Sequence, residues 1–147
     1  MIYTQKTRGP CADYAMLVAC EQLWVDVTEE YMLSTKEIGI TTVARTLVRD
    51  GKIQWVMGID TQAWVDFWLR KGHYIVSGTG KMNWSAINHS PYQMDFLGNY
   101  GHNFCIVAKL GYMYQAQDSQ WPDRYDRGFW YFHEKHLRNL KKFRIIP

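Results

Sequence analysis

The chain has 147 residues, and its 17 lysines and arginines against 14 acidic residues give a net charge of +3. This length indicates a single domain over residues 1–147, and so small a charge does not indicate a nucleic-acid-binding protein. No apolar run approaches the roughly 18 residues that cross a bilayer, and residues 1–11 lack the apolar segment of a signal peptide. We therefore expect no membrane span and no nucleic-acid partner, and a cytoplasmic or virion-associated protein.

Helical patterns dominate the first half of the chain. Apolar residues from 11 to about 24 recur at the spacing of one helix face, and Pro10 is typical of a helix start. A second helix is predicted from 34 or 35 to 49, with a capping box at its start. A third is predicted from 60 or 61 to 71, where Gly72 ends it.

The second half of the chain has the pattern of strands, with Gly111 as a turn between two of them. Helices followed by an antiparallel sheet are typical of the α+β class. The segment 78–101 is rich in Gly, Asn, Ser and Pro and is predicted as loop. The predicted strands are 73–77, 103–110, 112–118, 129–132 and 142–146.

The three cysteines, Cys11, Cys20 and Cys105, are too few and odd in number for a disulfide framework. The chain has no Cys-x-x-Cys pair, so we expect no metal and no cofactor. Cys11 stands at a predicted helix start, where free N–H groups and the helix dipole stabilise a thiolate. Cys20 and Cys105 fall on apolar faces and are predicted to be core residues. A catalytic thiol is therefore expected at Cys11.

A cysteine nucleophile needs a base, and His102 stands at the start of a predicted strand. Because the hairpin turns near residue 111, Asp118 is expected roughly opposite His102, where it can accept a hydrogen bond from the imidazole. Trp121 would shield that bond from water. Taken singly, these residues have ordinary alternatives: a structural cysteine, a solvated histidine at a strand end and an aspartate in a turn.

A cysteine nucleophile also needs an oxyanion donor beside it. Gln5 precedes Cys11 by six residues, across a Thr-Arg-Gly-Pro loop. Its amide can stabilise a developing oxyanion together with the backbone N–H of Cys11. The order Gln, Cys, His, Asp is more informative than any of the four residues alone.

These segments resemble the papain-like cysteine peptidases. Gln5–Cys11 is similar to the family's segment from the oxyanion Gln to the nucleophile, with Gly9 two residues before the Cys. Gly101–Val107 resembles its histidine strand, and Asp118–Trp121 resembles its Asn-Ser-Trp box. Gly128–Phe132 resembles the glycine-aromatic strand that follows.

The resemblance implies a papain-like α+β domain with the active site in a cleft between two lobes. The helical lobe would span about 5–72 and the sheet lobe about 73–147. The implied activity is hydrolysis of peptide or isopeptide bonds in a peptide or protein substrate. The implied site residues are Cys11, His102, Asp118 and Gln5 for catalysis, with Gly9, Gly101 and Trp121 for substrate binding.

Three departures from the family keep alternatives open. The Cys-Gly-Ser/Ala-Cys-Trp signature is missing, and the family's Asn is Asp118 here. Only 91 residues separate Cys11 from His102, against roughly 130–150 in the family. This spacing also fits a peptidoglycan amidase or endopeptidase of the cysteine-histidine amidohydrolase type, phage or bacterial. A third alternative is a papain-shaped structural component of a virion or another assembly, without turnover.

One further segment stands apart from these motifs. Residues 133–144 are strongly basic and are predicted to form a solvated helix face, with contact to phosphate or an acidic partner as the alternative. The basic residues in question are His133, Lys135, His136, Arg138, Lys141, Lys142 and Arg144.

Overall fold

The computed structural model describes residues 11–34, 40–58, 61–79, 103–117 and 129–147. Four α-helices, six strands and one 3-10 helix lie in these ranges. The helices are α1 (Cys11–Gln22), α2 (Glu29–Ser34), α3 (Ile40–Arg49) and α4 (Gln62–Arg70), and the 3-10 helix is Glu134–Asn139. The strands are β1 (Trp55–Gly58), β2 (Ile75–Thr79), β3 (Asn103–Leu110), β4 (Met113–Gln117), β5 (Phe129–His133) and β6 (Leu140–Ile146).

The strands form one antiparallel sheet in the order β1-β6-β2-β3-β4-β5. β3 and β4 are joined by a tight turn at Gly111, whose φ of 63° suits a residue without a Cβ. The pairing between these strands shifts by one residue between Ile106 and Ala108. Such a bulge bends the hairpin and increases its twist.

Helices cover both faces of the sheet. In β3, Phe104 and Ile106 belong to a buried cluster shared with α4, whereas Cys105 belongs to a cluster shared with α1, α2 and α3. This division follows from the two-residue period of a strand, which sends alternate side chains to opposite faces. The α1 side of the sheet therefore has its own core, built around the continuously buried run Tyr14–Cys20.

Three helices end in the same hydrogen-bond pattern, in which a left-handed residue follows the last turn. After α3 and α4 that residue is glycine, Gly51 with φ 71° and Gly72 with φ 78°. After α1 it is Trp24, with φ 59°. There the N–H of Val25 donates to the carbonyl of Cys20 at 2.9 Å, the bond that defines this motif. The predicted helix ends at residues 49 and 71 are confirmed to within one residue, whereas α1 ends two residues before the predicted residue 24.

The predicted α+β class is confirmed by this arrangement of helices on an antiparallel sheet. Two elements, α2 and β1, were not predicted, because six and four residues are too short to establish a period. β1 lies in the part of the chain assigned to the helical lobe, yet it pairs with β6 at the edge of the sheet. Among the described residues, no helix combines the length and apolar character that a membrane span needs.

Candidate active site

The predicted nucleophile, Cys11, is the first residue of a helix, as the sequence predicts. Helix α1 begins at Cys11. Its first-turn N–H groups have no partner within the helix, so this end carries the positive end of the dipole. The Cys11 side chain lies outside the described residues, as do Gln5 and Gly9.

The other two thiols are confirmed as core residues. Cys20 and Cys105 are fully buried and unpaired by any disulfide. Desolvation raises the pKa of Cys20 to about 12. Desolvation also raises the pKa of Cys105, and the neighbouring Cys20 adds to that effect. Both are therefore neutral thiols at physiological pH, and neither is a nucleophile.

The predicted base and its partner flank the β3–β4 hairpin. β3 begins at Asn103, directly after His102, and β4 ends at Gln117, directly before Asp118. The last described pair of the hairpin is Cys105 with Gln117. His102 and Asp118 themselves lie outside the described residues, together with Gly101 and Trp121.

The direction of α1 across the sheet relates the Cys11 end of the helix to the β3–β4 hairpin. A groove is lined both by the residues that follow α1 and by Tyr74, so the C-terminal end of α1 lies where β2 begins. β2 and β3 are antiparallel, with Ile75 opposite Ile106 and Gly78 opposite Asn103. β3 therefore begins at the other end of the sheet.

Helix α1 packs on both β2 and β3. Its N-terminus consequently points to the end of the sheet at which β3 begins and β4 ends. α1 is long enough to reach that end, since it spans about 18 Å at 1.5 Å per residue. The stretch of β3 from Val107, one residue beyond the Ile75–Ile106 pair, to Asn103 spans only about 13 Å at 3.3 Å per residue. The chain thus enters β3 and leaves β4 at the end of the sheet toward which the Cys11 end of α1 is directed.

Two buried polar residues in this region were not singled out from the sequence. Gln117 is 6% exposed, and its Oε1 has no hydrogen-bond partner among the described residues. It pairs with Cys105, and cross-strand partners share a face, so Gln117 lies on the α1 side of the sheet. Asp13, 4% exposed, lies in the first turn of α1, where its charge is favoured by the helix dipole. The two-residue period of the hairpin strands is the signal that could have identified Gln117, because Gln117 is the cross-strand partner of the core residue Cys105.

The opposite face of the sheet carries a separate polar network. Asp66 on α4 accepts hydrogen bonds from the hydroxyl of Tyr114 at 2.5 Å and from Lys109 at 3.0 Å. Lys109 also pairs with Glu134 at 2.6 Å, and Gln62 donates to Glu134 at 2.8 Å.

These bonds connect α4 and the 3-10 helix to the hairpin strands. Desolvation, with the hydrogen bond to Asp66, raises the pKa of Tyr114, so its hydroxyl stays protonated and donates. Lys109 lowers the pKa of Glu134, which stays ionised. The network stabilises the packing of α4 on the sheet, on the face away from α1.

The expectation of a solvated basic face over 133–144 was wrong for two of its residues. Lys142 is 6% exposed and donates to the carbonyls of Leu137 and Leu140 at 3.0 and 2.8 Å. Arg144 is 5% exposed, with its guanidinium 3.4 Å from the centre of the Trp68 ring. Both belong to β6, an interior strand between β1 and β2, where α4 and the 3-10 helix cover them. The predicted strand over 142–146 is thus confirmed, and it accounts for their positions where a helix face does not.

No group of three His, Cys, Asp or Glu side chains within the described ranges could hold a metal ion. Comparisons with known proteins add no identification: no family model, no curated protein and no solved structure matches this chain.

Proposed function

We propose that this chain is a cysteine peptidase with a compact papain-like fold. Cys11 is the nucleophile, His102 the general acid and base, Asp118 the group that orients His102, and Gln5 an oxyanion donor. The observation that best supports this is the direction of α1. The helix begins at Cys11 and packs on β2 and β3 with its C-terminal end near Tyr74. Its N-terminus is therefore directed to the end of the sheet where the chain enters β3 from His102 and leaves β4 toward Asp118.

The proposed reaction is acyl transfer in two steps. The Cys11 thiolate attacks the carbonyl carbon of a peptide or isopeptide bond, and the oxyanion is stabilised by Gln5 and the backbone N–H of Cys11. The C–N bond breaks as the His102 imidazolium gives its proton to the leaving amine. Water, losing a proton to His102, then hydrolyses the thioester and releases the acid, which restores the Cys11 thiolate–His102 imidazolium pair.

The electrostatics of α1 support Cys11 over the other thiols as the nucleophile. A thiolate at a helix N-terminus gains from the dipole, which lowers its pKa. Burial has the opposite effect on Cys20, whose pKa is raised to about 12. In this proposal Gly9, Gly101 and Trp121 line the substrate cleft, and the substrate is a peptide or protein.

The test compares the wild-type chain with Cys11→Ser, using Cys20→Ala as the matched thiol control. The substrates are a quenched-fluorescent peptide library and a Lys–Gly isopeptide. We expect Cys11→Ser to reduce hydrolysis at least about 10³-fold, because the hydroxyl is a far weaker nucleophile. Cys20→Ala should keep the rate per folded molecule. Hydrolysis that survives Cys11→Ser unchanged would contradict the proposal.

A second candidate is a peptidoglycan amidase or endopeptidase of the cysteine-histidine type. The 91 residues between Cys11 and His102 favour it, because they are fewer than the roughly 130–150 of papain-like enzymes. Purified peptidoglycan in the same assay separates the candidates, since soluble fragments would appear with wild type and not with Cys11→Ser. Inertness toward every substrate, with an unreactive Cys11, would instead favour a structural component of an assembly.

A further inference from the structure

Trp24 occupies a position that glycine normally takes. It is the left-handed residue after α1, and its N–H donates to the carbonyl of Glu21 at 3.3 Å. Left-handed backbone places the Cβ of an L-residue too close to the following carbonyl oxygen, which is why α3 and α4 have Gly51 and Gly72 at this point. Among the described residues, no other non-glycine has a positive φ.

The side chain of Trp24 recovers none of this cost by packing. It is 95% exposed, more than any other large apolar side chain in the described ranges. An indole held out in water at a strained backbone position contributes nothing to the stability of the folded chain. A bound partner that covers the ring would account for it.

A groove adjoins the ring. Its volume is about 690 Å³, and Trp24, Val25, Val27 and Tyr74 form its apolar part. The carboxylates of Glu21 and Asp26 line the same groove, and none of its described lining residues is Lys, Arg or His. The groove is therefore both aromatic and acidic, although the chain as a whole has a charge of +3.

We propose that this groove docks a basic peptide segment of a partner protein. A lysine or arginine of the segment would lie over the Trp24 indole, where the ring face attracts a cation. The carboxylate of Asp26 supplies the opposite charge. The aliphatic stem of the same side chain would lie along Val25 and Tyr74.

This docking site is separate from the proposed active site. Cys11 and the groove stand at opposite ends of α1, about 18 Å apart along the helix. Docking in the groove does not involve the thiol, so Cys11→Ser should bind the peptide as tightly as the wild-type chain does. Failure of hydrolysis and failure of docking are thereby distinguishable.

The experiment is fluorescence anisotropy of a labelled twelve-residue peptide in which Arg and Lys alternate with Gly and Ser. A second peptide replaces every Arg and Lys with Gln. The variants are Trp24→Gly, which removes the ring and the strain together, and Asp26→Asn. Trp64→Ala is the matched control, because Trp64 is a 55% exposed tryptophan on α4, outside the groove.

We expect the basic peptide to bind and the Gln peptide not to bind. Trp24→Gly should weaken binding about tenfold, Asp26→Asn about threefold, and Trp64→Ala not at all. Three results would overturn the proposal: equal binding by Trp24→Gly, equal binding of the Gln peptide, or no binding of the basic peptide at millimolar concentration. Self-association that Trp24→Gly abolishes, without peptide binding, would assign the groove to a second copy and would also overturn it.

Discussion

The two ends of α1 differ in charge and backbone geometry, although one helix connects them. At Cys11 the helix carries the positive end of its dipole, directed to the end of the sheet where β3 begins. At Trp24 it presents an exposed ring beside carboxylates, on a left-handed backbone. Between them, Tyr14–Cys20 are buried without interruption.

Core packing and the two proposed functions are divided along this helix. The middle segment supplies the core of the α1 face, so its residues are fixed by packing. Trp24, at 95% exposure, lies outside that core, so its side chain is available for recognition. The division predicts that substitutions in the middle change stability, and that substitutions at the ends change activity or binding.

The largest effect on stability is expected from the middle of the helix. Met16 is fully buried, so Met16→Ala should lower the free energy of unfolding by about 3 kcal/mol through lost burial and a residual cavity. The control is Leu33→Ala on α2, where the side chain is 40% exposed and the loss should be below about 1 kcal/mol. Equal losses of unfolding free energy for the two variants, measured by urea denaturation, would contradict the distinction between the buried middle of α1 and the exposed residues.

At the Cys11 end the informative substitution is at Asp118. If Asp118 orients His102, Asp118→Asn keeps the orientation and loses the charge that raises the imidazole pKa. The variant should keep substantial activity, with the alkaline limb of its pH–rate profile moved to lower pH. Asp118→Ala should lose more, about a hundredfold, because the imidazole is free to rotate. A pH profile of kcat/KM with an unmoved alkaline limb in Asp118→Asn would remove Asp118 from the site.

At the Trp24 end the expected effect is smaller and opposite in sign. Trp24→Gly should raise the free energy of unfolding by about 1 kcal/mol, because glycine adopts the left-handed conformation without the Cβ clash. Gly72→Ala is the reverse control, because it adds a Cβ to a left-handed residue at the end of α4. An added Cβ there has open space, so its expected loss of about 1 kcal/mol comes from the φ of 78° alone. A loss of stability in Trp24→Gly would show that the ring packs, contrary to its exposure.

Local signals were sufficient for much of the fold. The periodic apolar runs predict α1, α3 and α4, and Gly111 predicts the turn of the hairpin, because each signal lies within one element. β1 could not be found this way. Its four residues become a strand through pairing with β6, as in Val56 opposite Ile145, a partner far away in sequence.

The candidate site was predictable only in part for similar reasons. The helix start at Cys11 follows from local helix signals, whereas Gln117 was not singled out from the sequence. Its burial depends on which face α1 covers, and that is a tertiary property. The sequence predicts Trp24 as the last residue of an apolar helix, because a tryptophan side chain gives no signal of a left-handed backbone. Gln5, His102 and Asp118 lie outside the described residues, so their roles stay predictions.

The most direct test of the central claim is a competition among the three thiols. The folded chain is treated with a limiting dose of iodoacetamide near pH 6, and the labelled cysteine is located by intact mass and peptide mapping. We predict that Cys11 is labelled first, because the helix N-terminus favours its thiolate. Burial keeps Cys20 and Cys105 protonated, with the pKa of Cys20 at about 12. Labelling of Cys20 or Cys105 ahead of Cys11 would contradict the assignment of Cys11 as the nucleophile.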